Sequence, residues 1–363
     1  MLVVWVVACL AAAAWIGVRM IRAWRDRRVE VTLFGDADET PWPADAQLAV
    51  DPVVGWRPRR NADFRMRIAP LGGERVRVLR HHDNLGLIRT DDVRELPGPP
   101  RVLLVGDSHL MGVVSNADNA ADVLERSLRA SPGLGRAAVL NGSSGLYSLY
   151  QDVLRARSLV DALRPGLLVI AVFLGNDFVE LEDLGRPHLD DAGAEQPKDE
   201  KPPPETTSSR RSWLGLPEDD RLFWQGLNQA CCFHQQPDRI EPALAKARRC
   251  VELADKLAQA RRMSLVFALV PSYDLVFPER AAARGERVAE VVSAGINARL
   301  RDGLRALLAE RGLDCVDLLE TFRQDGRDAL YAADYHIFIE GHRLLAEALL
   351  EPVAAALEKT AGR

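Results

Sequence analysis

The chain has 363 residues, 47% of them hydrophobic and 27% charged, and a formal net charge of −5 at pH 7. This length accommodates one large α/β domain and a smaller appendage. The mild acidity, without a basic stripe beyond residue 28, argues against nucleic acid as a partner. The five cysteines show no zinc-ligand spacing, and nothing in the sequence implies a metal or an organic cofactor.

An uncharged, apolar stretch covers residues 2–18, with Trp5 and Trp15 near its ends. Its length approaches the ~20 residues that span a bilayer, so it predicts a transmembrane helix. No basic side chain precedes it, which favours a retained single-pass anchor over a cleaved signal peptide. We interpret 1–28 as this anchor and a basic juxtamembrane stretch, whose arginines are Arg19, Arg22, Arg25, Arg27 and Arg28.

Residues 29–100 consist of short β-prone pieces separated by proline, glycine and aspartate. Segments 49–58 and 75–80 have the composition of strands and turns, and 96–100 is a proline-rich linker. We interpret 29–100 as a small β-rich collar with its linker. The collar shows no chemistry of its own.

From residue 101 to residue 360, short apolar runs alternate with segments of helical periodicity. The predicted strands are 101–105, 137–140, 167–174, 265–270 and 314–316. The predicted helices are 119–130, 147–163, 242–261, 286–311 and 341–357. This alternation predicts an α/β fold, a three-layer α/β/α sandwich around a mostly parallel, flavodoxin-like sheet.

An insertion at about 183–240 interrupts the alternation. Its part from 190 to 211 is polar and rich in proline, which predicts a disordered or mobile surface loop. The apolar residues that follow form either a lid over the strand ends or a local packing cluster. They are Trp213, Leu214, Leu222, Phe223 and Trp224.

Small and polar residues come together at four places along this domain, two of them directly after a predicted strand and a third a few residues beyond one. These segments are Gly106-Asp107-Ser108, Gly145, Gly175-Asn176-Asp177 and Asp334-Tyr335-His336. A serine that follows a buried parallel strand projects from the carboxyl edge of the sheet, where open α/β folds bind ligands. A serine hydroxyl needs a base to become a nucleophile, and His336 beside Asp334 can supply one.

In this order the four segments resemble the blocks of the SGNH hydrolases, also called GDSL-like esterases, of the membrane-anchored bacterial type. The resemblance covers about 101–357, with the insertion unmatched. It implies a catalytic triad in which Ser108 is the nucleophile, His336 the base and Asp334 the acid. One departure is that a single residue separates Asp334 from His336, whereas two separate the pair in the commonest pattern of the family.

The resemblance also implies an oxyanion hole made by the N–H groups of Ser108 and Gly145 and the side-chain amide of Asn176. Such donors stabilise the charge that acyl transfer builds on a carbonyl oxygen. Gly142 is the alternative to Gly145 for the second donor. The aspartates beside Ser108 and Asn176 are expected to bind backbone at their turns, and His342 is expected to start a helix rather than to act as the base.

The implied function is an esterase without a cofactor, with O-acetyl groups on carbohydrate as candidate substrates. An O-acetyltransferase, in which a sugar hydroxyl replaces water, is the alternative among enzymes. A non-catalytic binding or assembly protein with the same fold is the alternative from another class. The arginines after the anchor favour a cytoplasmic catalytic domain, but acylated carbohydrate is mostly exterior, so we expect the domain outside the cytoplasm. The sequence leaves the oligomeric state open.

Overall fold

The computed structural model describes residues 29–32, 48–93, 98–181, 187–190, 192–197 and 207–361. None of the helices in these ranges combines the length and the apolar character needed to cross a bilayer. The predicted anchor at 2–18 lies outside the described residues.

The strands of the described ranges are β1 (Val29–Thr32), β2 (Leu48–Asp51), β3 (Gly55–Pro58), β4 (Ala62–Ile68), β5 (Val76–His82), β6 (Arg101–Gly106), β7 (Ala138–Asn141), β8 (Leu167–Phe173), β9 (His188–Leu189), β10 (Glu195–Gln196), β11 (Ser264–Val270) and β12 (Asp314–Asp317). The α-helices there are Ser108–Met111, Ala120–Ala130, Leu149–Leu163, Asp177–Glu180, Thr207–Leu214, Asn228–Gln235, Ile240–Arg261, Tyr273–Val276, Pro278–Ala282, Glu286–Ser293, Ile296–Glu310, Leu319–Asp325 and Ile339–Ala361.

Five parallel strands form the main sheet in the order β12-β11-β8-β6-β7. All seven residues of the central strand β8 are buried, as is typical of a parallel sheet with both faces covered. The predicted α/β fold with a parallel sheet is confirmed. Since β7 and β8 flank β6 on opposite sides, the strand order reverses at β6, and such folds bind ligands at the carboxyl ends of the strands there.

Helices cover both faces of this sheet, which makes three layers. One face carries Ala120–Ala130 and Ile339–Ala361, and the other carries Leu149–Leu163, Ile240–Arg261 and Ile296–Glu310. The apolar faces of these helices and the strands between them form one continuous core.

The prediction of a single helix at 286–311 is wrong, because the structure has two helices there, Glu286–Ser293 and Ile296–Glu310. Gly295 lies between them with φ at 65°. A residue in this left-handed conformation ends a helix, and glycine adopts it without steric cost.

The collar consists of a sheet in which β4 lies between β1 and β5, and of a separate β2–β3 hairpin. It is bonded to the main domain near the carboxyl ends of the main strands. The Tyr147 hydroxyl donates to the Trp56 carbonyl at 2.6 Å, and the buried Arg80 guanidinium donates to the Gly112 carbonyl at 2.5 Å. The collar therefore sits beside the edge where the fold predicts a ligand site.

The insertion contributes both packing and an exposed aromatic side chain. Leu214, Leu222 and Phe223 are buried in the main core, so the packing-cluster interpretation holds for them. Trp224 is 42% exposed and borders a cavity at the strand ends. Of the predicted mobile loop at 190–211, residues 191 and 198–206 lie outside the described ranges. The prediction of a mobile loop is wrong for two described segments, because Glu195–Gln196 forms strand β10 and Thr207–Leu214 forms a helix.

Candidate active site

The turn after β6 places Ser108 at the carboxyl edge of the sheet. Gly106 ends the strand where a Cβ atom would lie 2.9 Å from the carbonyl oxygen of Ala171, so the backbones approach too closely for a larger residue. Asp107 caps the short helix that Ser108 begins, because its Oδ1 accepts the His109 N–H at 2.9 Å. The partly exposed Ser108 borders the cavity at the strand ends.

His336 reaches Ser108 from the turn that precedes the helix Ile339–Ala361. The turn is fixed by the backbone, since the His336 carbonyl accepts the Ala332 N–H at 2.8 Å. The Nε2 atom of His336 lies 3.0 Å from the Ser108 Oγ, although the two residues are 228 positions apart. This distance is suitable for proton transfer from the hydroxyl to the imidazole.

Asp334 lies against the other ring nitrogen of His336. Its Oδ2 is 3.1 Å from Nδ1, and its Oδ1 accepts the His336 backbone N–H at 3.3 Å. Tyr335 has φ at 65°, so the chain turns sharply enough for its two neighbours to meet across a single residue. The Nδ1–Oδ2 contact has ion-pair distance without hydrogen-bond alignment; catalytic bonds often tighten only when substrate binds.

Asp334 and His336 each stabilise the charged form of the other. Burial by itself lowers the pKa of His336, but attraction to Asp334 outweighs it and holds the pKa above its usual value. Burial likewise raises the pKa of Asp334, but attraction to His336 holds the pKa below its usual range. Asp334 is therefore ionised near neutral pH and can stabilise an imidazolium at His336.

Gly145 and Asn176 border the same cavity as Ser108. The Gly145 N–H contacts the Met111 sulfur at 3.1 Å, and a thioether is a weak acceptor that a carbonyl oxygen can displace. The Asn176 amide nitrogen donates to Glu180 Oε1 at 3.1 Å and has a second N–H for another acceptor. The structure thus brings the predicted oxyanion residues to one place, and their role remains a prediction.

The two glycines that the sequence left open differ in their surroundings. A Cβ atom at Gly142 would lie 2.8 Å from a methyl group of Leu159, so Gly142 lets the helix Leu149–Leu163 pack against the sheet. A Cβ atom at Gly145 would contact nothing within 4 Å. Only Gly145 of the two borders the cavity.

Hydrogen bonds fix the end of strand β8 and the imidazole ring of His109. Oδ2 of Asp177 accepts the Phe173 N–H at 2.7 Å, the backbone role expected from the sequence. The His109 ring stacks on Phe173, and its Nδ1 accepts the Ile337 N–H at 3.3 Å. Its proton is therefore on Nε2, which donates to Gln225 Oε1 at 2.7 Å. Burial holds the pKa of His109 well below its usual value, so this ring is neutral.

His342 is buried at the start of the last helix and does not face Ser108. Its Nδ1 accepts the Ala120 N–H at 3.2 Å, and burial lowers its pKa to about 3. His342 therefore lies at the helix start, as expected from the sequence, and the role of His336 as the base remains a prediction.

The cavity over Ser108 has a volume of about 280 Å³. Its polar side chains are those of Ser108, Asn176, Glu180, Gln225 and His336, and its larger apolar side chains are those of Leu48, Met111, Val113, Leu146 and Trp224. Sequence reasoning missed Leu48 because it belongs to the collar. It also missed Gln225, whose non-helical φ and ψ interrupt the π-helical turn Phe223–Leu227; the neighbouring glycine, Gly226, was the available signal.

No family model and no curated protein matches the chain. Solved structures do resemble it. The acetyl xylan esterase AlAXEase is 14% identical over 70% of this chain and 99% of its own, with a TM-score of 0.41. A lipase/acylhydrolase from Enterococcus faecalis is 18% identical over 71% of this chain and 97% of its own, with a TM-score of 0.37. A lipolytic protein of the G-D-S-L family from Desulfitobacterium hafniense is 13% identical over 69% of this chain and 98% of its own, with a TM-score of 0.36.

These neighbours are acylhydrolases and acetylxylan esterases. Because their identities are below 25% and their TM-scores below 0.5, they do not decide the activity of this chain. That question rests on the geometry of its own residues.

Proposed function

We propose that this chain is a serine hydrolase of carboxylic esters, similar to the SGNH hydrolases. One observation carries the proposal: Ser108 Oγ lies 3.0 Å from His336 Nε2, and His336 Nδ1 lies 3.1 Å from Asp334 Oδ2. These distances support an arrangement in which Ser108 is the nucleophile, His336 the base and Asp334 the acid that orients the base. The donors of Gly145 and Asn176 at the same cavity support the proposal.

In the first half of the reaction, the Ser108 Oγ forms a bond to the ester carbonyl carbon while its proton passes to His336 Nε2. The π electrons of the carbonyl move onto its oxygen, which becomes the oxyanion of a tetrahedral intermediate. When this intermediate collapses, the bond to the alcohol oxygen breaks and the alcohol leaves with the proton from Nε2. In the second half, water repeats these steps on the acyl-serine, releases the acid and restores the Ser108 hydroxyl.

The oxyanion needs donors that are already in place when the charge develops. The N–H groups of Ser108 and Gly145 and the second N–H of Asn176 are the candidates. A donor of this type is worth roughly 2.7–4 kcal/mol to the transition state. The carbonyl oxygen must displace the Met111 sulfur from the Gly145 N–H, an exchange that favours the better acceptor.

Covalent labelling tests the proposal directly. The purified protein is incubated with a fluorophosphonate probe, and the modified residue is located by mass spectrometry. We expect the label on Ser108, together with hydrolysis of p-nitrophenyl acetate. No label and no hydrolysis would instead support a non-catalytic binding or assembly protein.

Acetylated carbohydrate and O-acetyl transfer are the finer proposals, and both rest on the sequence resemblance. The protein is incubated with acetylated xylo-oligosaccharides, once alone and once with an excess of unacetylated sugar. Release of free acetate in both incubations indicates a hydrolase. Newly acetylated sugar in the incubation with excess sugar indicates a transferase.

A membrane anchor at 2–18 and a catalytic domain outside the cytoplasm are a separate proposal. The uncharged apolar stretch supports the anchor. The arginines that follow it oppose a catalytic domain outside the cytoplasm, whereas the mostly exterior location of acylated carbohydrate supports one. Alkaline phosphatase fused after Arg363 is active only outside the cytoplasm, so high phosphatase activity is expected. An inactive phosphatase, with a bright fluorescent protein that folds only in the cytoplasm, would reverse the orientation.

A further inference from the structure

The cavity over Ser108 is larger than an acetyl group requires. Its volume of about 280 Å³ is close to the lower end of the range of about 300–1,000 Å³ that is typical of small-molecule pockets. An acetyl group adds one methyl to the carbonyl carbon that Ser108 attacks. Most of the cavity would remain for another part of the substrate.

Three apolar side chains that border the cavity come from separate regions of the chain, and we call them the apolar wall. Leu48 comes from the collar, Leu146 follows Gly145, and Trp224 comes from the insertion. Leu146 and Trp224 are 47% and 42% exposed, so much of their apolar surface is available to a ligand.

The backbone at Leu146 supports a functional reason for this wall. Leu146 has φ at 65°, a left-handed conformation that is costly for a bulky side chain. Its side chain is half exposed, so burial in the core does not repay this cost. Strain of this kind is concentrated at binding and catalytic sites.

We propose that the cavity holds an apolar chain of the ester substrate, longer than acetyl, against Leu48, Leu146 and Trp224. The proposal rests on the proposed ester hydrolysis. Sugar hydroxyls against this wall would lose hydrogen bonds to water without replacement, whereas a hydrocarbon chain would lose only unfavourable contact with water. The substrate class is therefore esters of medium-length aliphatic acids or alcohols, in place of the acetylated carbohydrate that the sequence resemblance implies.

The size of the effect follows from the burial of methylene groups. Each buried methylene is worth about 0.8 kcal/mol, or about a fourfold increase in kcat/KM. Four added methylenes, from acetate to hexanoate, predict an increase on the order of 10²-fold by the same relation. The increase should end when the chain fills the cavity.

A series of p-nitrophenyl esters from acetate to dodecanoate, kept below their micelle concentrations, tests this expectation. We expect kcat/KM to rise to hexanoate or octanoate and then to level off or fall. A series that is flat or highest at acetate, with labelling of Ser108 intact, would overturn the apolar-chain proposal and leave ester hydrolysis standing. Absence of hydrolysis for every ester, without labelling of Ser108, would overturn both.

Two isomeric esters show which side of the ester bond occupies the cavity. Ethyl hexanoate has the chain on the acid, and hexyl acetate has it on the alcohol, with the same composition. Ethyl acetate is the reference. A preference for either isomer over ethyl acetate supports the proposal and identifies the side, and no preference for either contradicts it.

Substitutions in the wall test its residues. Trp224→Ala and Leu146→Ala are each expected to lower the ratio of hexanoate to acetate kcat/KM by about tenfold. Val50→Ala is the matched control, because Val50 is 73% exposed, lies on the same hairpin as Leu48 and does not border the cavity. The ratio should be unchanged in this control. An unchanged ratio in both wall variants, with unchanged thermal unfolding temperatures, would show that the wall does not bind the chain.

Discussion

The reacting end of the cavity and its apolar wall are built in different ways. Ser108 and Asn176 follow β6 and β8 directly, and backbone hydrogen bonds to Asp107 and Asp177 fix these turns. Leu48 and Trp224 come from the collar and the insertion, which lie outside the main sheet. The collar is joined to the main domain by the backbone bridges Ile88–Asn141 and Pro70–Ala332 and by side-chain bonds. On the proposed function, the sheet edge sets the rate for every ester, and the attached regions set the choice among esters.

The strongest test of this division is removal of the nucleophile. Ser108→Ala should lower kcat on the order of 10⁶-fold for all chain lengths alike, with nearly unchanged thermal stability because the side chain is small and partly exposed. Hydrolysis and fluorophosphonate labelling measure the loss. Ser131→Ala is the control, since its hydroxyl bonds the Ser127 carbonyl at a helix end. Labelling that persists in Ser108→Ala would identify another nucleophile.

The next largest effect is expected for Asp334→Asn, which should lower kcat on the order of 10⁴-fold by favouring the wrong tautomer of His336. In the wild type, kcat/KM should rise with pH as His336 loses its proton, with a midpoint above the usual histidine pKa of about 6.5. Asp334 raises the pKa of His336 against burial, so its removal should move the midpoint to lower pH. Wild-type activity and an unmoved midpoint would place Asp334 outside the catalytic unit.

A smaller loss is expected for Asn176→Ala, roughly 10²–10³ in kcat with little change in KM, because an oxyanion donor acts mainly in the transition state. Asn228→Ala is a matched control: both asparagines are 9% exposed, but Asn228 bonds Arg210 and does not border the cavity. A change confined to KM would make Asn176 a residue of substrate binding alone.

The smallest effect is expected where the collar meets the main domain. Tyr147→Phe removes the donor of the 2.6 Å bond to the Trp56 carbonyl and should lower the free energy of unfolding by about 1 kcal/mol. Urea denaturation measures this change. For acetate esters kcat should stay within a factor of two. A tenfold loss of kcat with acetate would show that the β2–β3 hairpin also holds the reacting end, and the division between this hairpin and the sheet edge would fail.

The sequence predicted the sheet edge well because its signals are local. The apolar run of β8 is uninterrupted, and Asn176 stands just beyond its end; Ser108 stands in the same relation to β6. The parallel arrangement then follows from the alternation with helices. The contact between Asp334 and His336 was less predictable, since it depends on the left-handed conformation of Tyr335.

The cavity wall could not be predicted in this way, because its residues carry no local sign of their common location. In the sequence Leu48 has the pattern of an ordinary strand residue. Its position at the same cavity as Ser108 depends on how the collar packs against the main domain. Trp224 was equally compatible with a lid and a packing cluster. The break at Gly295 was missed because the apolar periodicity continues across it, while a single left-handed residue ends the helix.

The separation of 228 positions between Ser108 and His336 has a consequence for folding. Ser108 lies next to the first strand of the main sheet, and His336 lies beyond the last, so their 3.0 Å contact forms only when the whole sheet has assembled. Long-range contacts of this kind form late, because closing a long loop costs entropy before any contact repays it. On the proposed function, ester hydrolysis should therefore return with the slowest phase of refolding, after most of the helical circular dichroism has recovered.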